Sequence, residues 1–372
     1  RCGDHRLVPT GNVSIGDTLS RILALLRETR NTASMGAKRS IVYGYISILA
    51  VTLVAVASAF AVAGPLVLGA PPFVTFSLAI VAFVAVLRPV MLVFRLHPSP
   101  ILQLRDDVVN NAGWMASAAV VLVALPLLFD ATTRIKQSIE LIQPFYADPG
   151  LIQLDHFLFF GHDPWQITHA LLGERGTRII DYVYAGWLLV QIVFTILLIF
   201  ARDHVFKIRV TLSLQLAWLL MGAGLAVAMA SVGPCFVDDF YASDRFAPLM
   251  ERLQSYEGLL ATNAMEYLLS VQGQLAVGGG ISAMPSLHVG IAVLILLVVN
   301  DYFPRFRAVG VAYVATIYVG SIHLGWHYAT DGLVSGIGML AIWKMTGAWC
   351  RWLQTLDKNR VNQADLARNG GR

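Results

Sequence analysis

The sequence predicts an all-α fold, a polytopic transmembrane helical bundle of about eight spans built around a six-helix core. Three observations predict it. Hydrophobic residues make up 56% of the 372 positions and charged residues only 13%, about half the charged share of a soluble domain. Apolar runs recur at a length that suits a bilayer, where a spanning helix needs about 20 mostly apolar residues. Lys and Arg also gather in alternate connecting segments, with 19 falling on one side of the predicted membrane and 6 on the other. Positively charged short loops stay in the cytoplasm, so both termini are expected inside.

Residues 1–40 are polar and Arg-bearing with no early apolar stretch, which reads as a cytoplasmic N-terminal segment rather than a cleaved signal peptide. Apolar runs at 41–63, 73–94 and 113–129 make residues 41–129 a set of N-terminal transmembrane helices, within which Arg88 is expected to snorkel. Residues 130–181 read as an outside loop with two apolar-rich pieces, 135–146 and 151–160, punctuated by Pro144, Asp148-Pro149-Gly150 and Gly161. Such pieces suit interfacial or re-entrant helices. Asp155-His156 and His162-Asp163 then read as interfacial polar residues beside Phe157–Phe160, and Tyr146, Trp165 and Tyr182 as interfacial anchors. Residues 182–349 form the core domain, with apolar runs at 182–201, 210–232, 286–300, 308–322 and 332–349. Two of these are short, which suits helices that end in a polar cavity at membrane depth. Gly332, Gly336 and Gly338 are expected to allow close helix packing, and Gly332 to leave room beside Asp331. Residues 350–372 are expected to be a disordered cytoplasmic tail.

The bulk properties exclude several function classes. The net charge of +4 shows no nucleic-acid patch. Cys2, Cys235 and Cys350 lie too far apart for a cysteine metal site or a disulfide framework, and nothing calls for a cofactor.

Ionisable residues at membrane depth are costly and ask for a functional explanation. Two clusters stand out, both on the predicted outer side. The first runs Gly278-Gly279-Gly280-Ile281-Ser282-Ala283-Met284-Pro285-Ser286-Leu287-His288 and opens an apolar helix. Free N–H groups in a first helical turn favour an anion, which places Ser286 and His288 beside one. The second runs Ser321-Ile322-His323-Leu324-Gly325-Trp326-His327-Tyr328-Ala329-Thr330-Asp331. The spacing of four between His327 and Asp331 suits one helical face. A carboxylate on one imidazole nitrogen fixes the tautomer and leaves the other nitrogen free as a nucleophile. His323 would fall on that face one turn earlier. The same spacing also suits a metal held by His323, His327 and Asp331, a reading that Gly325 and Trp326 disfavour because they interrupt a regular helix.

At these residues the chain resembles the type 2 phosphatidic acid phosphatase superfamily, mainly over residues 210–349. Pro285-Ser286-Leu287-His288 is similar to the family's Pro-Ser-Gly-His with Leu in the Gly place, and His327-x-x-x-Asp331 to its second motif. Pro-Ser-Leu-His with His-Tyr-x-x-Asp looks more like the inositol-phosphotransferase branch, the relatives of inositol phosphorylceramide synthase. Departures accompany the match. The family's Lys-x6-Arg-Pro motif is read as absent, Arg88-Pro89 having Val81 where the Lys belongs, and Ser321 replaces the Arg that precedes the second His. Arg245 and a protonated His323 are the candidate phosphate-binding cations. The loop from Gly233 to Tyr241 is expected to line the site.

The resemblance implies that His327 attacks phosphorus, Asp331 orients it, and His288 protonates the departing oxygen and later activates the acceptor. The expected function is therefore a lipid phosphotransferase with a phospholipid or polyprenyl-type phosphate donor, acting at the outer face of a bacterial inner membrane. A sugar alcohol or another hydroxyl compound is the expected acceptor. Hydrolysis with water as acceptor is the alternative, and a non-catalytic transporter or lipid-binding protein the reading from another class.

Overall fold

A computed structural model describes residues 39–64, isolated positions within 79–94, and residues 98–274 and 276–369, with side chains to 358. Most of the predicted span at 73–94, including Arg88, and residues 1–38 lie outside the described residues. Among the described residues the chain is helical and contains no strand.

Five helical segments are long and apolar enough to cross a membrane: Arg39–Ala63, Pro100–Gln137, Glu174–Phe200, His204–Ala228 and Ala329–Lys358. The first is α1 and the second α2, the latter opening with Pro100 in its first turn and carrying Pro126 inside. After α2 the chain enters three short helices, α3 (Asp148–Leu158), α4 (Pro164–Leu171) and α5 (Glu174–Ala185). Gly186 separates α5 from α6 (Trp187–Phe200), and the two together make the third candidate span.

Helix α7 (His204–Leu216) starts at Asp203, whose carboxylate accepts from the N–H groups of Val205 and Phe206. Capping of this kind satisfies donors that have no partner within the helix. The same segment continues as a wider, π-type stretch over Ala217–Leu225. Two further short helices follow, α8 (Ala247–Gln254) and α9 (Leu260–Ser270), before α10 (Leu287–Tyr302), α11 (Arg307–His323) and α12 (Ala329–Asn369).

Helices α10 and α11 have 16 and 17 residues, or about 24–26 Å at the helical rise. That is short of a hydrocarbon core of about 30 Å, and both end at the cluster described below. Helix α10 packs between α11 and α12, while α7 packs on α1 and α12. Glycine permits close approach between helices: a Cβ on Gly44 of α1 would lie 2.5 Å from the Ile208 side chain of α7, and one on Gly222 would lie 2.6 Å from the Leu287 side chain. Gly332 is used in the same way. A Cβ there would sit 2.5 Å from the Tyr318 ring, so the space beside Asp331 is filled by a neighbouring helix rather than left open.

Two expectations are corrected. The piece at 135–146 is not one interfacial helix, since α2 runs through Gln137 and is followed by a single turn at Ile139–Ile142. The polar C-terminal tail is helical to Asn369 because α12 simply continues. Ser40 at the start of α1 donates to the Asp357 carboxylate and ties that extension to the bundle.

Candidate active site

The connections 138–147, 229–246, 271–286 and 324–328 meet at one end of the bundle, and hydrogen bonds hold them together. Tyr146 and Ala147 donate to the Ala230 carbonyl, Cys235 to Gly325, and Ala283 to Ser231. Gly233, at φ 90°, passes so close to the Trp326 carbonyl that a Cβ would lie 2.7 Å from its oxygen.

Two carboxylates of α3 organise this end. Asp148, fully buried, accepts from the N–H groups of Val232 and Gly233 and from the hydroxyls of Tyr241 and Tyr328 at 2.8–3.1 Å. Asp155, also buried, accepts from the N–H groups of Ala329 at 2.6 Å and Thr330 at 3.0 Å. It therefore caps α12 from outside that helix, where the dipole favours a negative charge. Burial raises the Asp155 carboxyl above its ordinary range, and these N–H groups oppose the rise. The expectation that Asp155 is an interfacial polar residue fails. Its partners are backbone groups far along the chain, which no local pattern could reveal.

On this frame His327 is held at one nitrogen. Its Nδ1 lies 2.8 Å from the Ala283 carbonyl oxygen and 3.3 Å from Asp331 Oδ2. A carbonyl oxygen only accepts, so Nδ1 carries the proton and Nε2 keeps its lone pair. Asp331 is fully buried at the first turn of α12, and its Oδ2 also accepts from the Tyr328 N–H at 3.0 Å. His288, in the first turn of α10, has its ring centroid 5.9 Å from that of His327. Tyr184 stacks on it at 4.7 Å, Trp187 lies 4.3 Å from it, and the Trp187 indole donates to its carbonyl. These contacts hold an imidazole beside a second imidazole without tying it to a carboxylate.

His288 and His327 line one cavity of about 400 Å³ with Lys136, Tyr184, Trp187 and Leu188. Lys136 is the cation that sequence reasoning missed. It comes from the last turn of α2, more than 140 residues before His288. The signal was present, because Lys136 is followed after six residues by Gln143-Pro144. The spacing is that of Lys-x6-Arg-Pro with Gln in the Arg place, and it lies just before the residues that the family model matches. Gln143 itself donates to the Val227 carbonyl.

The other predicted site residues are placed differently. Ser286 is fully buried and does not line the cavity: its Oγ caps α10 by accepting from the Val289 N–H at 3.4 Å, and its own N–H donates to the Asp331 carbonyl at 3.4 Å. His323 is fully buried away from this cavity. Its Nε2 meets the Thr177 hydroxyl at 2.9 Å, its Nδ1 meets Thr168 at 3.0 Å, and the His169 ring lies tilted against it with centroids 4.0 Å apart. The expected common face with His327 is broken at Gly325, whose φ of 75° ends the helical run. Arg245 pairs with Asp163 at 2.8 Å and does not line the cavity. Of the loop from Gly233 to Tyr241, Phe236 reaches the cavity wall.

A family model described as PAP2 superfamily matches residues 149–345. Comparison with curated proteins and with solved structures returns no match.

Proposed function

The chain belongs to the PAP2 superfamily, a superfamily of phosphatases and phosphotransferases, and from that premise we propose that it is a membrane lipid phosphotransferase acting through a phosphohistidine on His327. One observation carries the reading. Nδ1 of His327 is occupied by Ala283 and Asp331, while the ring lines a cavity shared with His288 and Lys136. A nucleophile, a proton carrier and a cation thus surround one space large enough for a phosphate and part of a lipid.

In the first half-reaction Nε2 of His327 attacks phosphorus, the bond from phosphorus to the leaving oxygen breaks, and His288 gives that oxygen a proton. Lys136 and the first-turn N–H groups of α10 at Leu287 and His288 balance charge on the equatorial oxygens. In the second half-reaction His288 takes a proton from the acceptor hydroxyl. The acceptor oxygen then attacks phosphorus and the bond to His327 breaks. Asp331 stabilises the imidazole as it gains positive character. The charge bias turns this end outward, which in a bacterial inner membrane is the periplasmic side. A phospholipid or polyprenyl-type phosphate fits as donor because Leu188, Ala264 and Leu268 make much of the cavity wall apolar.

Purified protein in detergent, given a panel of lipid phosphates and phospholipids with and without an added polyol, tests the reading. Head-group or phosphate transfer to the polyol, lost in His327→Ala, is the expected result. Phosphate release alone, lost in the same variant, would make the protein a phosphatase with water as acceptor. Equal turnover by His327→Asn and the unaltered protein would contradict both and favour a transporter or lipid-binding role.

A further inference from the structure

The cavity at His288 and His327 has two unlike sides. On one side its wall reaches the surface at Ala185, Leu188, Leu260 and Ala264, all exposed and none charged. Leu188 belongs to a candidate span, so a lipid could enter sideways there without leaving an apolar medium. On the other side Lys136, Gly280 and Ile281 line both this cavity and a second, narrow one of about 20 Å³. The second space is bounded by Gln137, Glu140, Gln272 and Gln274. Glu140 and Phe240 in turn belong to an open groove at the surface. The void of about 20 Å³ is enough for about one water molecule.

Gly280 shapes the partition between the two spaces. It sits at φ 91°, and a Cβ there would lie 3.0 Å from the Gln137 backbone nitrogen, while one on Gly279 would lie 2.8 Å from Gln137 Nε2, so Gly279 and Gly280 lie close against the end of α2. Gln137 donates to the Ala276 carbonyl across the same seam, and Gln272 donates to Glu140 at 3.2 Å across its outer rim. Glu140 and Gln272 are both exposed.

We propose that this polar seam is the acceptor entrance: a water-soluble hydroxyl compound, water or a polyol, reaches His327 past Glu140, Gln272 and Lys136, while the lipid donor and the leaving lipid alcohol use the apolar side. The inference rests on the covalent two-step reading above. Separate entrances suit that chemistry, since the acceptor arrives after the first alcohol has left and need not cross the space that the lipid occupies. In the closed arrangement the seam has room for about one water. A polyol needs the Gln272–Glu140 hydrogen bond to open, which makes that pair a determinant of acceptor size.

The test is Glu140→Cys in a chain whose native cysteines are replaced by Ser, modified after purification with a bulky, water-soluble methanethiosulfonate. Two quantities are followed with a lipid phosphate donor: the initial burst of lipid alcohol, at one equivalent per protein, and steady turnover with water, glycerol or inositol as acceptor. The expected result is a preserved burst with turnover reduced at least tenfold, restored by a thiol reductant. Loss with the polyols alone would still support the entrance and show that water passes the modified seam. Burst and turnover both unchanged, or both lost together, would overturn the proposal. Absence of an acid-labile phosphate label on His327 in the unmodified protein would overturn the covalent reading and this inference with it. Gln272→Ala gives a second measure, with an expected rise of threefold or more in the ratio of polyol transfer to hydrolysis and no change in the burst. An unchanged ratio would remove the pair as a size determinant.

Discussion

Nδ1 of His327 faces two acceptors, and the nearer one is the Ala283 carbonyl rather than Asp331. The tautomer is therefore held even without a carboxylate, and what Asp331 adds is charge. Asparagine at 331 keeps an oxygen where Oδ2 accepts from both His327 and Tyr328. Asp331→Asn is expected to fold normally and lower kcat by about 100-fold, within the range of general acid–base and electrostatic contributions. A drop as large as that of His327→Ala would assign Asp331 a larger share. His288→Ala should cost about 10²–10⁴-fold in turnover, with a donor bearing a better leaving group losing less. Equal losses for good and poor leaving groups would remove His288 as the proton donor. These two motifs were legible in the sequence because each is local: Pro285 to His288 opens one helix, and His327 to Asp331 spans one turn. His323 was misplaced by the same habit of counting in fours, since Gly325 breaks the helix between it and His327.

Helix α3 lines no part of the cavity, yet its two carboxylates hold the segments that carry His327 and Asp331. Asp155 caps α12, and Asp148 binds Tyr328 and the backbone at Val232–Gly233. The interacting residues are 84 to 180 positions apart in the chain, so helix periodicity and turn chemistry could not reveal them. Asp155→Asn is expected to cost about 1–2 kcal/mol, the scale of a lost cap or charge-assisted hydrogen bond. Thermal unfolding in detergent measures it, and an unchanged midpoint would show that the cap carries little weight. The buried pair of His169 and His323 predicts a pH dependence at the same level. Burial holds His169 below its ordinary value of 6.5. The unfolded chain then binds a proton that the folded chain does not, so this stability is complete above about pH 6.5 and falls as pH drops toward the depressed value. The unfolding midpoint should decline from pH 7.5 to pH 5, and decline less in His169→Phe. Parallel declines in the two proteins would exclude His169 as the source.

Across the whole molecule, the helical and membrane-spanning character was legible from composition, because an apolar majority at bilayer-length intervals leaves few other solutions. The number of spans was less legible: α5 and α6 share one segment across Gly186, and α2 extends well beyond its apolar centre. The site itself depends on distant segments, with α2 bringing Lys136 to histidines from α10 and the loop before α12. Its cation escaped notice because Gln143, not Arg, stands before Pro144 at the six-residue spacing from Lys136. Lys136→Met is expected to lower kcat/KM by about 100-fold or more, with partial recovery in Lys136→Arg; no loss would show that the phosphate is balanced elsewhere. The central claim is the bond between phosphorus and His327, and trapping it is the most direct test. Protein incubated with donor carrying radiolabelled phosphate, quenched in alkali and digested, should yield an acid-labile label on the peptide containing His327 and none in His327→Ala. An unlabelled peptide under turnover, or label that survives in His327→Ala, would contradict the account.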